Sequence, residues 1–415
     1  MSATAASASG TRDYAIVTAA YWGFTLTDGA LRMLVLLHFF RLGYSPFTLA
    51  FLFLLYEATG IVANLVGGWL ATRFGIARML AVGLATQVLG FLLLSALSPD
   101  WSPAFAVAWV VVAQGVCGVA KDLTKTASKS AIRMTAGEAQ GRLFRLVAFF
   151  TGSKNAMKGV GFFLGGLLLE ALGFRLALWA MAAALGLILA AVVLTLPPLM
   201  GRVKASRSAR EFLAKSRGVN LLAAARVFLF GARDVWFVVG LPVFLYASGW
   251  SFTMVGGFLA VWTIGYGVMQ AAAPALIRHS EDGLATEVPA ARRWGLALAL
   301  VPALLALALM AGIARADLIV TAGLCLFGLA FAVNSSLHSY LVLAYASDGK
   351  PAEDVGFYYA ANAAGRFGGI LLSGLLYGMG GLAACLAGSA LMLTLSWLLT
   401  LALPLRNAPA ALDPG

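Results

Sequence analysis

The chain has 415 residues, of which 61% are hydrophobic and only 11% charged, against roughly 25% charged in a soluble domain, and this composition excludes a water-soluble enzyme. A spanning helix takes about 20 apolar residues, so the length predicts a polytopic bundle with little else attached. The net charge of +12 would point to nucleic acid if the basic residues formed one exposed patch. They lie instead in short gaps between apolar runs and inside the runs themselves.

Apolar segments follow one another near 14–39, 47–71, 77–97, 104–128, 143–171, 176–199, 219–247, 253–277, 294–313, 317–346, 355–379 and 381–404. The first is far longer than a signal-peptide core and has no cleavage pattern after it, so it is expected to stay in the mature protein. Backbone groups in hydrocarbon must be satisfied within the segment or a closed barrel. Continuous apolar runs, without the two-residue alternation of a lipid-facing strand, select helices. The expected fold class is an all-α membrane protein of twelve transmembrane helices in two pseudo-symmetric six-helix bundles, residues 1–199 and 219–415. A basic linker at 200–218 joins them and is expected to act as an anchor against anionic lipid.

Lys and Arg set the orientation. With a cytoplasmic N-terminus, that side carries Arg12, Arg73, Arg78, Lys129, Arg133, Arg142, the arginines and lysines of the linker, Arg278, Arg292, Arg293, Lys350 and Arg406, while the other carries only Arg41, Arg175 and Arg315. Both termini then face the cytoplasm. A shift of 206 residues places Gly43-Tyr44-Ser45 on Gly249-Trp250-Ser251, Asp28 on Asp234 and Asn64 on Gln270, and a shift of 207 places Asn155-Ala156 on Asn362-Ala363. A near-common offset of half the chain is the sign of a duplicated transporter fold.

Charged residues in the spans are not scattered. The third, sixth, ninth and twelfth segments hold none in their interiors, while the first holds Asp28 and Arg32, the second Glu57, and the fourth Lys121, Asp122 and Lys125. The fifth holds Arg145, Lys154, Lys158 and Glu170, the seventh Arg226, Arg233 and Asp234, and the eleventh Arg366. An ion at the bilayer centre costs about 2.5 to 3.5 kcal/mol on the lenient insertion scale, so such groups face a wet cavity or a partner. Every third helix is therefore expected to face lipid, and the others to surround a central path.

The sequence resembles the major facilitator superfamily. Gly68 to Gly75 matches the loop motif GxLaDrxG with Thr72 at the acidic position, Gln114-Gly115 with Gly118 is similar to the fourth-helix motif, and Gly161 to Gly166 to the fifth-helix antiporter motif. Longer strings at 21–39, 120–133, 151–166 and 225–242 resemble the organoarsenical efflux permeases of the ArsJ type. That resemblance implies export of 1-arseno-3-phosphoglycerate from cytoplasm to periplasm across a bacterial inner membrane. It also implies arsenate resistance and a functional link with the glyceraldehyde-3-phosphate dehydrogenase that makes the ester.

The membrane-embedded cations outnumber the acids, which favours an anionic cargo: Arg offers paired N–H donors to phosphate, arsenate or carboxylate, and Lys a point charge. The candidate substrate-binding residues are Lys154, Lys158, Arg233, Arg366, Arg32, Arg226, Lys121 and Asn155. Lys154 and Lys158 are four apart and share a helix face; each is either an anion ligand or a cation neutralised by a carboxylate or snorkelling. The Asp28 and Arg32 spacing suits an intrahelical ion pair. Asp28, Glu57 and Asp234 are the candidates for proton coupling or gating. Burial would raise a carboxylate's pKa, and the three stay undecided.

His38 and His338 are read as polar packing or proton shuttles. Cys117, Cys325 and Cys385 have no metal-ligand spacing, and neither metal nor other cofactor is expected. The expected protein is a monomeric, proton-coupled exporter of an anionic organoarsenical, an importer or exchanger of organophosphates being the alternative. A membrane-embedded transferase or lipid-handling protein is not expected, since the chain has no HExxH, P-loop or GxSxG context and its lipid-facing helices lack charges.

Overall fold

The computed structural model describes residues 2–62, 75–136, 140–197, 217–276, 284–345 and 351–405, and among these every regular element is a helix. The motif from Gly68 to Phe74, Asn64 and the linker as far as residue 216 lie outside the described residues, as do the side chains of Lys129, Arg133 and Arg145. The helices are α1 (Ser2–Arg41), α2 (Pro46–Val62), α3 (Ile76–Ser95) and α4 (Pro103–Ala136). Gln140–Thr195 divides at Gly173 into α5 (140–172) and α6 (174–195). The second half has α7 (Arg217–Phe237, continued by Gly240–Ala247), α8 (Phe252–Leu276), α9 (Glu287–Met310) and α10 (Ala316–Ala344). Pro351–Leu401 divides at Gly380 and Gly381 into α11 (351–379) and α12 (382–401).

Among the described residues, nine helices are long and apolar enough to cross a membrane. Much of the difference from the expected twelve lies in two hairpins. Two of the nine, Ser153–Thr195 with 43 residues and Ala360–Leu401 with 42, would each extend about 65 Å at 1.5 Å per residue, twice the hydrocarbon thickness of about 30 Å. Each is instead a hairpin. Ser153 meets Trp22, Gly165 meets Ala30 and Phe174 stacks on His38, after which Ile188 returns to Gly23. In the second half Gly365 lies on Val227 and Gly369 on Gly231, and after the turn Ser396 donates back to the Ala225 carbonyl at 2.9 Å. α2 is a shorter apolar helix, described as far as Val62.

Gly173 turns with φ 73° and Gly381 with φ 61°, in the left-handed region that L side chains avoid. Gly173 and Gly380 are 207 residues apart, the same shift that relates Asn155 to Asn362. The duplication therefore extends to the hairpin turns.

The hydrophobic windows of α1 and α7 are both 78% buried, against 33% in the spans that contain α9 and α12. The repeat partners α1 and α7 are thus the innermost helices. Along α3, α6, α9 and α12, large apolar side chains such as Leu89, Leu187, Leu194, Leu304 and Leu391 lie exposed, as expected of faces solvated by lipid. On the inner face of α5, Gly161 and Gly165 lie so close to α1 that an added Cβ would stand 2.3 Å from the carbonyl oxygens of Leu26 and Ala30. The glycines of the fifth-helix motif therefore act through close helix approach.

The halves meet tightly at the end where α1 and α7 finish. Phe40 meets Tyr246 edge to face at 5.7 Å, Tyr246 stacks on Phe252 at 4.7 Å, and Glu170 accepts from the Thr253 amide at 3.3 Å and hydroxyl at 2.6 Å. Ser45 caps α2 by accepting from the Thr48 amide at 3.2 Å, and the adjoining first turn of α2 packs on Gly374 of α11.

Candidate functional site

Between α1, α2, α4, α5 and α11 lies a cavity of about 140 Å³. Its walls carry the cations Lys121, Lys125, Lys154, Lys158 and Arg366 and the acids Asp28, Glu57 and Asp122, with Tyr21, Thr25 and Asn362 among the other polar groups. Five cations against three acids leave the lining with an excess of positive charge. The size is close to that of an engineered cavity of about 150 Å³ that holds benzene, enough for one phosphate-sized group with a short piece of carbon chain.

Glu57 on α2 is the hub. Its carboxylate is 1% exposed, and one oxygen, Oε1, accepts from Arg32 of α1 at 2.6 Å and from Arg366 of α11 at 2.7 Å. Its other oxygen lies 3.6 Å from Lys121 Nζ on α4. Arg366 reaches in two directions, since its Nε donates at 3.0 Å to Asp234 of α7. The Arg366 guanidinium thus links an acid of the first half to an acid of the second. Asp234 also accepts from the Arg233 Nε at 2.7 Å. Burial of these charges is tolerable because Glu57 and Asp234 are each matched by more than one cationic donor.

The helical spacing that suits an Asp28–Arg32 pair is not used that way. Arg32 points to Glu57, and Asp28 accepts from the Tyr56 hydroxyl at 2.5 Å. A neighbouring helix places a full negative charge and a hydroxyl nearer than the helix's own turn does. Tyr56 also receives Lys121 Nζ 3.9 Å from its ring centroid, a cation–π contact worth about 2 kcal/mol where desolvated. Lys121 further lies 4.0 Å from Asp122, which pairs with Lys125 at 3.2 Å.

Lys158 differs from its neighbours: it lines the cavity and makes no ion pair among the described residues, with the Phe162 ring 5.6 Å from Nζ. Lys154 lines the same wall one turn away. Of the other candidates, Arg32, Arg233 and Asp234 belong to the ion network without lining the cavity. Asn155 donates to Gln270 of α8 at 3.3 Å, which ties the halves together rather than facing the cavity.

Arg226 lies apart. It is buried within the second half, donates to the Ser335 carbonyl at 3.2 Å and hydroxyl at 3.1 Å, and packs over Phe230 and Tyr358. His338 is buried and His38 stacks on Phe174 at 4.1 Å, and the three cysteines are free thiols.

Tyr56, Asp122 and Asn362 were not among the candidates by sequence. Asn362 had a readable signal, being the repeat partner of Asn155 and four residues before Arg366, hence on the same helix face. Asp122 had one too, three residues before Lys125. Tyr56 had none, since its role depends on how α2 meets α1 and α4.

Among curated proteins none matches the chain by sequence. Solved structures similar in fold include a proton dependent oligopeptide transporter, at 14% identity and TM-score 0.66 over 94% of this chain and 97% of that one. Another is the human organic anion transporter MFSD10 (TETRAN), at 19% identity and TM-score 0.65, with 94% and 99% covered. A third is a POT family transporter in complex with 5-aminolevulinic acid, at 12% identity and TM-score 0.73, with 94% and 95% covered. The Major Facilitator Superfamily model matches residues 14–373. With two hairpin-ended halves around a charged cavity, and with that match across most of its length, the chain belongs to the Major Facilitator Superfamily and is a membrane transporter of the secondary kind, not an enzyme.

Proposed function

We propose that this transporter moves an anionic organic solute from the cytoplasm to the other side of a bacterial inner membrane, and that the solute is the organoarsenical 1-arseno-3-phosphoglycerate. The observation that carries the anionic reading is the cavity wall, where cations outnumber acids and Lys158 makes no ion pair among the described residues. The arsenical rests on the resemblance of four polar-bearing strings to the ArsJ-type permeases. In this reading Lys154, Lys158, Lys121 and Arg366 contact the cargo. Arg32 and Arg233 hold the acids that orient them, while Arg226 and Asn155 stay outside the cavity.

The bundles 1–199 and 219–415 rock about the cavity, with the linker 200–218 and both termini cytoplasmic. The aromatic contacts of Phe40, Tyr246 and Phe252 then close the far side, and the cargo enters from the cytoplasm. Coupling to protons passes through Asp28, Glu57 or Asp234. The transporter works as a monomer and receives its cargo from glyceraldehyde-3-phosphate dehydrogenase. The cavity is smaller than the whole ester, so the halves part further when it binds.

The test is uptake of the enzymatically made ester into inverted vesicles, alongside arsenate resistance in cells with and without the arsenylating dehydrogenase. Dehydrogenase-dependent resistance and saturable uptake support the proposal. Uptake of unrelated organophosphates with no arsenic phenotype replaces it with an organophosphate importer or exchanger.

A further inference from the structure

Glu57 and Asp234 both grip Arg366, but only one of them is within reach of a solute. Glu57 lines the cavity, whereas Asp234 is fully buried behind Arg366 and does not. Glu57 offers its cations what an anionic cargo would offer them, a negative oxygen accepting two guanidinium donors at 2.6 and 2.7 Å. Such charge-assisted bonds are the strong class and are formed equally with carboxylate, phosphate or arsenate oxygens. The three cations come from α1, α4 and α11, so the carboxylate occupies their point of convergence.

We propose that Glu57 is a built-in counter-anion, holding the cavity's cation cluster until an anionic group of the cargo displaces it from Arg366. The inference rests on the anionic-cargo reading above. Lys158, without an ion pair among the described residues, gives the arriving anion its first contact beside Arg366. When Arg366 turns from Glu57 to the cargo it keeps Asp234, so the second half loses nothing while the link to the first half is cut. Cargo binding then loosens the ionic link between the halves at the cavity, while the α5–α8 packing and the Asn155–Gln270 bond persist, and Glu57 sets both the affinity and the loosening of that link. Removal of a competitor that already occupies the site strengthens binding by the factor by which it had been occupied.

The experiment measures binding of inorganic phosphate and glycerol 3-phosphate to the purified full-length protein by calorimetry. Glu57→Gln keeps the shape and removes the charge, and it is expected to tighten both probes about tenfold. Glu57→Asp, which retains the charge on a shorter arm, is expected to tighten them by less, and serves alone if the amide variant fails to fold. Lys158→Met is expected to weaken both, and Asp234→Asn to tighten neither. If binding to Glu57→Gln or Glu57→Asp is unchanged or weaker while Lys158→Met still weakens it, the counter-anion role falls and the anionic cargo stands. If Lys158→Met changes nothing, or no probe binds any form, the anionic cargo falls and this inference with it.

Discussion

Asp28 and Asp234 are repeat partners on the two innermost helices, and the fold surrounds them in opposite ways. Asp234 accepts from two arginines, one of them borrowed from α11. Asp28 accepts from the hydroxyl of Tyr56 and has no ion pair among the described residues. In the first half the arginine that the helix spacing would give to Asp28 has gone to Glu57 instead. The duplication therefore preserves the backbone plan, hairpin turns included, but not the electrostatics. The first half contributes all four of the cavity's lysines among the described residues, and the second half contributes the arginine that links the halves, Arg366. The two halves thus share a backbone plan while their buried acids are held by different partners.

That comparison can be broken by substitution, most severely at the shared arginine. Arg366→Leu strips a donor from both Glu57 and Asp234, and breaking a buried pair this way costs about 3 to 5 kcal/mol. The expected result is a large fall in the detergent melting temperature together with loss of vesicle transport. Next comes Asp234→Asn, which leaves Arg233 and Arg366 short of a charge, with an expected cost of about 3 kcal/mol. Its repeat partner Asp28→Asn keeps an acceptor for Tyr56, so only about 1 kcal/mol is expected. Equal losses in this pair of variants would mean that the two aspartates are electrostatically equivalent after all.

Lys158→Met sharpens the contrast from the other side. Lacking an ion pair to lose, it is expected to leave the melting temperature unchanged or raised while lowering transport at limiting cargo about tenfold, the weight of one charge-assisted bond. The smallest effect is expected at the rim, where Thr253→Val removes one hydroxyl donor to the exposed Glu170, a loss of about 0.5 to 1 kcal/mol. Spin-label or fluorophore distances across the Phe40 and Tyr246 end would register it as a modest shift toward opening.

Much of this was readable in the sequence because the bilayer enforces it. Ionic residues avoid lipid, so the charge-free third, sixth, ninth and twelfth segments identified the outer faces, and the 206-residue offset identified Asp28 and Asp234 as equivalents. The cavity residues Lys121, Lys154, Lys158, Arg366, Asp28 and Glu57 were likewise legible as embedded charges. Pairing was not. Helical spacing gave Arg32 to Asp28, and only the approach of α2 brings Glu57 within 2.6 Å of it. Nor did hydropathy separate the residues that line the cavity from those, such as Arg226 and Asn155, that bond to other groups inside the bundle. Partner choice is a property of tertiary geometry, and a one-dimensional pattern carries it only when both partners lie on the same helix.

The hairpin turns at Gly173 and at Gly380 with Gly381 have a practical corollary. Each joins two helices with almost no intervening chain, so there is nothing for a protease to grip or an antibody to recognise. A reporter tag inserted at either turn would have to prise apart a pair of helices that the translocon receives nearly as one piece. Mapping of the topology by inserted tags is better begun in the polar connections near Asp100 and Arg315, where a few extra residues have room to lie in water.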